Sequence, residues 1–262
     1  MNETPDHTDE PLEWWRRDQP ISWRDLFDAL AQLTALGLTG KYENRIGRSA
    51  LFYPLVGLAI GALWWSADSF LFGSLQANAR AAVAVMVIAL LGRGRGWLGI
   101  YRSPEPADSA EPAPPRTRGR LGNFLGTIAV LLVCALQWWA LVSLRKARTP
   151  ALVFAPMLSA WGAVVLAHGS RAARRDGRRV KYAQEVGFRE FAAASVFSFG
   201  ILFTLGQVSG ILIGVAVAVL LVAIRTSLHA TIKGVTDATV WAASEIVLTV
   251  VLTLFALLEH GR

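Results

Sequence analysis

Long apolar runs alternate along this chain with short, strongly basic segments. Seven runs lie near 51–71, 76–92, 124–144, 150–168, 190–206, 209–225 and 239–258. With its flanks, each is about long enough to cross a hydrocarbon core of roughly 30 Å as an α-helix. The second is the shortest, continuously apolar only from Ala81 to Leu91. The fifth and sixth are joined by little more than Gly206–Gln207, which predicts a tight helical hairpin. Ahead of the runs stands SWRDLFDALAQLTALGL. In it, Ser22 followed three residues later by Asp25 is a capping-box pattern, and Leu26, Leu30, Leu33 and Leu36 recur at helical spacing. This predicts a helix over 22–38, lying in the membrane interface or docked against the bundle. Residues 1–21 are acidic and lack the basic start and apolar centre of a cleaved signal peptide. They read as a disordered cytoplasmic tail. The predicted class is all-α: a polytopic integral membrane bundle of about seven transmembrane helices, with 22–258 as one membrane domain.

Charge orients this bundle. With the N-terminus cytoplasmic, twenty-one of the 26 Lys and Arg fall on the cytoplasmic side and five on the other. That asymmetry follows the positive-inside rule. The net charge of +7 then needs no nucleic acid, because basic loops facing anionic lipid headgroups account for it. The stretch GRGRGWLG at 92–99 reads accordingly as the cytoplasmic end of span two, with Trp97 at the interface. The Pro- and Ala-rich remainder of 93–120 reads as a flexible cytoplasmic connector. The lone Cys134 has no partner for an internal disulfide, and His7, His168, His229 and His260 show no ligand spacing.

Few groups in the spans can do chemistry. Glu245 sits about two turns into span seven, where an ionised carboxylate is costly unless paired or hydrated, so it is a functional candidate. Asp237 precedes that span in IKGVTDATV, beside Lys233, and is equally readable as a carboxylate placed at a helix N-terminus. Asp68 lies near the outer end of span one. Two basic clusters, Arg116, Arg118 and Arg120 before span three and Arg171 to Lys181 before span five, face the cytoplasm and suit phosphate. Ordinary positive-inside charge explains them as well. There is no P-loop, no Gly-x-Ser-x-Gly and no His-Glu-x-x-His.

RSALFYPLVGLAIGALWW groups Pro54, Gly57 and Gly61 inside one apolar run. It resembles the first-span signature of the cobalamin synthase (adenosylcobinamide-GDP ribazoletransferase) family. Further pieces follow in the family's order: DALAQLTALGLTG at its entry segment, RLGNFLGTIAVLLVCAL with Arg120 and Gly122 matching, LVFAPMLSAWGAVVL with Ala160 where the family has Arg, then KYAQEVGF and KGVTDATVWAASEIVLTVVL. The likeness covers about residues 26–258. It implies an integral membrane enzyme of the bacterial inner membrane that joins adenosylcobinamide-GDP to α-ribazole, giving adenosylcobalamin and GMP with Mg²⁺. On this resemblance Asp237 and Glu245 are the catalytic candidates, Asp237 the metal ligand, and Arg120 and Lys233 the phosphate-binding groups. Partners would be the lipid bilayer and the two substrates; association into a homo-oligomer is left open. One departure stands out. The family carries "GGLHLDGLADTADG" after its second span, and this chain has GRGRGWLGIYRSPEP there. A catalytically inactive relative that binds a corrinoid intermediate, or scaffolds other membrane enzymes of the pathway, is the alternative reading.

Overall fold

The computed structural model describes residues 22–34, 46–71, 73–102, 120–170, 186–232 and 234–260. Their helices are α1 (Trp23–Leu33), α2 (Ile46–Ser49), α3 (Tyr53–Leu71), α4 (Ala77–Leu91), α5 (Arg95–Arg102), α6 (Arg120–Ser143), α7 (Arg148–Ala167), α8 (Phe188–Leu205), α9 (Gln207–Ile232) and α10 (Asp237–His260). Six helical stretches are long and apolar enough to cross a membrane; the bent pair α4 and α5 makes a seventh if counted as one span. The molecule is a polytopic all-α membrane protein. Residues 1–21, read as a tail, lie outside the described residues, as do 103–119 of the connector.

α7 is the central helix, with nearly every side chain from Ala151 to Ala167 buried. α3 crosses it at close range because glycine stands at the crossing. A Cβ on Gly57 would lie 2.6 Å from the Pro156 oxygen, and one on Gly61 would lie 2.9 Å from the Leu152 oxygen. Pro156 has no N–H, so the Leu152 carbonyl loses its helical donor. Gly61 sits against that same carbonyl, where a Cα–H can approach it. Small residues thus do for α3 and α7 what the hydrophobic effect cannot do inside lipid. Ala160, in place of a family Arg, lies against Gly57, its Cβ 2.9 Å from where a Cβ on that glycine would be.

Isolated polar bonds tie the neighbouring helices. Trp64 Nε1 donates to the Ala84 oxygen at 2.8 Å, Trp161 Nε1 to Ser195 Oγ at 3.0 Å, and Ser159 Oγ to the Ser244 oxygen at 2.8 Å. α8 and α9 form the hairpin expected at Gly206. α9 turns Val208, Leu212, Val215, Val219 and Val222 outward and Ile213, Val217 and Leu221 inward. That outward stripe suits acyl chains.

Span two departs from its expected form. α4 has 15 residues, about 22 Å of helix, less than the hydrocarbon thickness. The chain then turns through 84° into α5, so the opening part of the expected flexible connector is helical. The turn is made by Arg93 and Gly94, both left-handed at φ 58° and 61°, and by Gly94 N–H closing onto the Ala89 oxygen at 2.7 Å. Alternating Arg and Gly therefore forms a sharp turn between two helices at the end of span two.

Candidate functional site

The end of the bundle that carries α1 also holds the start of α10, with Asp237, and the turn-linked α5. α1 begins with the expected capping box: Ser22 Oγ accepts from Arg24 N–H, and Asp25 Oδ2 accepts from Ser22 N–H at 2.9 Å. Its faces are distributed unlike those of an ordinary surface helix. Asp25 and Asp28 are buried, while Trp23 and Phe27 are exposed. Asp25 pairs with Arg48 at 3.3 Å. Gln32 receives the Tyr53 hydroxyl on its side chain and Arg95 Nη1 on its backbone oxygen.

α5 lies between α10 and α6, and glycines let it approach both. A Cβ on Gly99 would be 2.6 Å from the Ala242 nitrogen and 2.7 Å from the Ala238 oxygen. One on Gly96 would collide with the Glu245 carboxylate and lie 2.8 Å from Glu245 Cβ. On the α6 side, Gly126 faces the Tyr101 carbonyl at 2.6 Å by the same measure, and Tyr101 Oη donates to Asn123 Oδ1 at 3.2 Å. Arg95 also lies 5.4 Å from the Trp241 ring centroid, a cation–π distance.

Glu245 is the centre of a polar knot. Its Oε1 accepts from Gln137 Nε2 at 2.6 Å and from Trp97 Nε1 at 3.1 Å. Gln137, fully buried, also donates to Thr249 Oγ1 at 2.9 Å, and that hydroxyl donates to the Glu245 carbonyl at 2.8 Å. Two donors converging on one oxygen are what a carboxylate inside a bilayer needs.

Asp237 is the first residue of α10, but it is not the cap. Thr236 fills that position: Thr239 Oγ1 accepts from Thr236 N–H at 2.8 Å and Thr236 Oγ1 from Thr239 N–H at 3.3 Å. Asp237 and Glu245 are eight residues apart on one helix, about 12 Å along its axis, so the structure does not bring them to one point. Arg120 opens α6, while its side chain and the whole of Lys233 lie outside the described residues. Among the described residues no three His, Cys, Asp or Glu side chains gather into a metal-binding group.

Sequence reasoning missed Gln137, Thr249 and the inward acids of α1. A signal existed for each: Gln137 is a lone amide inside CALQWW, and Asp25, Asp28 and Gln32 share one helical face.

A helical bundle with six long apolar helices and one bent pair is a multi-pass membrane protein. The family model described as cobalamin-5-phosphate synthase matches residues 25–95 and 118–256. The chain belongs to the cobalamin-5-phosphate synthase family. It is 29% identical over 262 aligned residues to the adenosylcobinamide-GDP ribazoletransferase of Chlorobaculum tepidum, covering 90% of this chain and 96% of that protein. With that of Ralstonia nicotianae it shares 30% over 220 residues, 76% of this chain and 81% of the relative. With that of Geotalea daltonii it shares 28% over 163 residues, 60% and 64%. No solved structure matches. The family match breaks off after Arg95 and resumes at 118, so nearly all of α5 falls in the gap.

Proposed function

We propose that this chain is an adenosylcobinamide-GDP ribazoletransferase working at the α1 end of the bundle, on the cytoplasmic side of a bacterial inner membrane. The observation that carries the reading is the family match running from α1 to α10 on both sides of its single gap. In the proposed reaction a ribose hydroxyl of α-ribazole attacks the corrinoid-side phosphorus of adenosylcobinamide-GDP. The new P–O bond forms as the P–O bond to GMP breaks, and GMP leaves with the electron pair. The hydroxyl proton needs an acceptor at the membrane surface. Asp237, at the start of α10, is assigned that role. Arg120 and Lys233, at the same end by their place in the chain, are assigned to the diphosphate oxygens.

A second reading has an observation of its own in its favour. The gap in the family match holds a helix rich in glycine and arginine, with no acid between Asp68 and Glu105. On that reading the chain binds the corrinoid diphosphate without turning it over. Purified protein in nanodiscs, given adenosylcobinamide-GDP, α-ribazole and Mg²⁺, separates the two. Formation of a cobalamin together with GMP supports the transferase, and corrinoid binding without product supports the inactive relative.

A further inference from the structure

We infer that Glu245 is a positioning residue, which holds Trp97 and through it locks α5 against α10, rather than a group that touches substrate. Four observations converge on it. Glu245 Oε1 takes the Trp97 indole N–H at 3.1 Å, the side-chain bond between α10 and the one tryptophan of α5. The carboxylate is itself aimed from behind by Gln137 at 2.6 Å, and Gln137 is steadied by Thr249 at 2.9 Å. Gly96 leaves the space that the carboxylate fills, so the two positions are complementary in shape. Among the described residues Glu245 is part of no group of three or more His, Cys, Asp or Glu side chains that could hold a metal.

The lock has consequences for what α5 presents. Its apolar residue Ile100 is buried, while Arg93 before it, Leu98 on it and Arg102 at its end are exposed. Arg95 is committed to Gln32 and Trp241. A docked α5 therefore holds the Arg93 and Arg102 cations at fixed places on the α1 end, and a released α5 does not. The lock stands on geometry alone; that the positioned cations serve a diphosphate substrate rests on the transferase reading.

The test uses the full chain in nanodiscs with Cys134→Ala and a reporter, Ile100→Cys, probed by N-ethylmaleimide. A locked α5 protects the reporter. Trp97→Phe and Glu245→Ala are each expected to speed labelling by at least about tenfold, the size of one charge-assisted bond. The double variant is expected to be no faster than the faster single, because both remove the same contact. Glu245→Gln keeps an oxygen for the indole N–H and is expected to stay protected. In turnover, Trp97→Phe and Glu245→Ala should raise KM for adenosylcobinamide-GDP by a common factor with kcat little changed, and Glu245→Gln should be near wild type. Unchanged labelling in Trp97→Phe, or additive effects in the double variant, overturns the lock whatever the chain catalyses. Loss of kcat in a Glu245→Gln protein whose reporter remains protected overturns the positioning role by making Glu245 a reacting group. Absence of turnover in the wild-type chain with the labelling pattern as expected counts against the transferase reading and leaves the lock standing.

Discussion

Arg148 grips Asp68 with both arms of its guanidinium, Nε to Oδ2 at 2.8 Å and Nη2 to Oδ1 at 2.6 Å. Arg80 reaches the same carboxylate from α4. One buried acid at the far end of α3 thus joins three helices, and Arg148 Nη1 also donates to the Leu141 oxygen at the end of α6. Beside it, Glu259 of α10 accepts from the backbone N–H groups of Arg145, Lys146 and Ala147 at 2.9, 2.6 and 3.2 Å. These groups lie in the turn that leads into α7, with Ala147 at its N-cap, where a negative charge is favoured by the helix dipole.

Removing one side of that cluster leaves buried arginines uncompensated. Asp68→Ala is expected to cost about 3–5 kcal/mol of stability, whereas Asp68→Leu combined with Arg148→Met should recover much of it. Thermal unfolding in detergent, followed by helical circular dichroism, measures both. A near-neutral Asp68→Ala would mean that the cluster is solvated rather than buried.

The α3–α7 crossing predicts a contrast between two glycines. Gly61→Val drives a Cβ into the Val153 and Leu152 carbonyls, and overpacking of this kind costs about 1–3 kcal/mol. Gly200→Ala meets nothing within 4 Å and should stay within about 0.5 kcal/mol of wild type. The same melting assay distinguishes them, and equal losses at the two sites would count against the close crossing.

The far-end cluster also sharpens the topology argument. Of the five basic residues assigned to that side, Arg80 and Arg148 share the single carboxylate of Asp68, which offsets one of their two charges, so the far side carries less free positive charge than its count implies. In a Cys134→Ala background, Arg102→Cys should resist a membrane-impermeant maleimide in intact cells. Lys146→Cys should be labelled. The opposite pattern would invert the molecule.

Metal binding follows the donor set. With no cluster of acids among the described residues, the protein alone is expected to bind Mn²⁺ only in the millimolar range. Tighter binding should appear when adenosylcobinamide-GDP supplies its phosphate oxygens. Electron paramagnetic resonance of free Mn²⁺ reads the difference. Micromolar binding by the protein alone would assign a site to acids outside the described residues, Glu105, Asp108 and Glu111 being the first to substitute.

Most of the bundle was readable in the chain because lipid imposes one rule on every span: apolar length with all backbone bonds made internally. Ser22 and Asp25 announced the start of α1, and Gly206 announced the hairpin. α5 was not readable. Its signal is Gly96 and Gly99 facing α10, and glycine spacing is the same whether it serves a turn, a connector or a close contact. Its anchor, Trp97 to Glu245, spans 148 positions of sequence that no local pattern reports. Asp25 and Asp28 escaped for a related reason, since acids on a helix normally face water and here they face Arg48 and the bundle. Asp237 and Glu245 were legible as candidates, and so was their separation of about two turns; the structure adds that Asp237 is itself the first residue of the same helix.

The central claim is transfer at the α1 end with Asp237 as proton acceptor. Single-turnover release of GMP from adenosylcobinamide-GDP and α-ribazole, compared in the wild-type chain and in Asp237→Ala, tests it most directly. The account predicts one GMP per cobalamin formed in the wild type, and a rate at least about a hundredfold lower in the variant with corrinoid binding retained. Equal rates in the two proteins would contradict it by removing Asp237 from the chemistry.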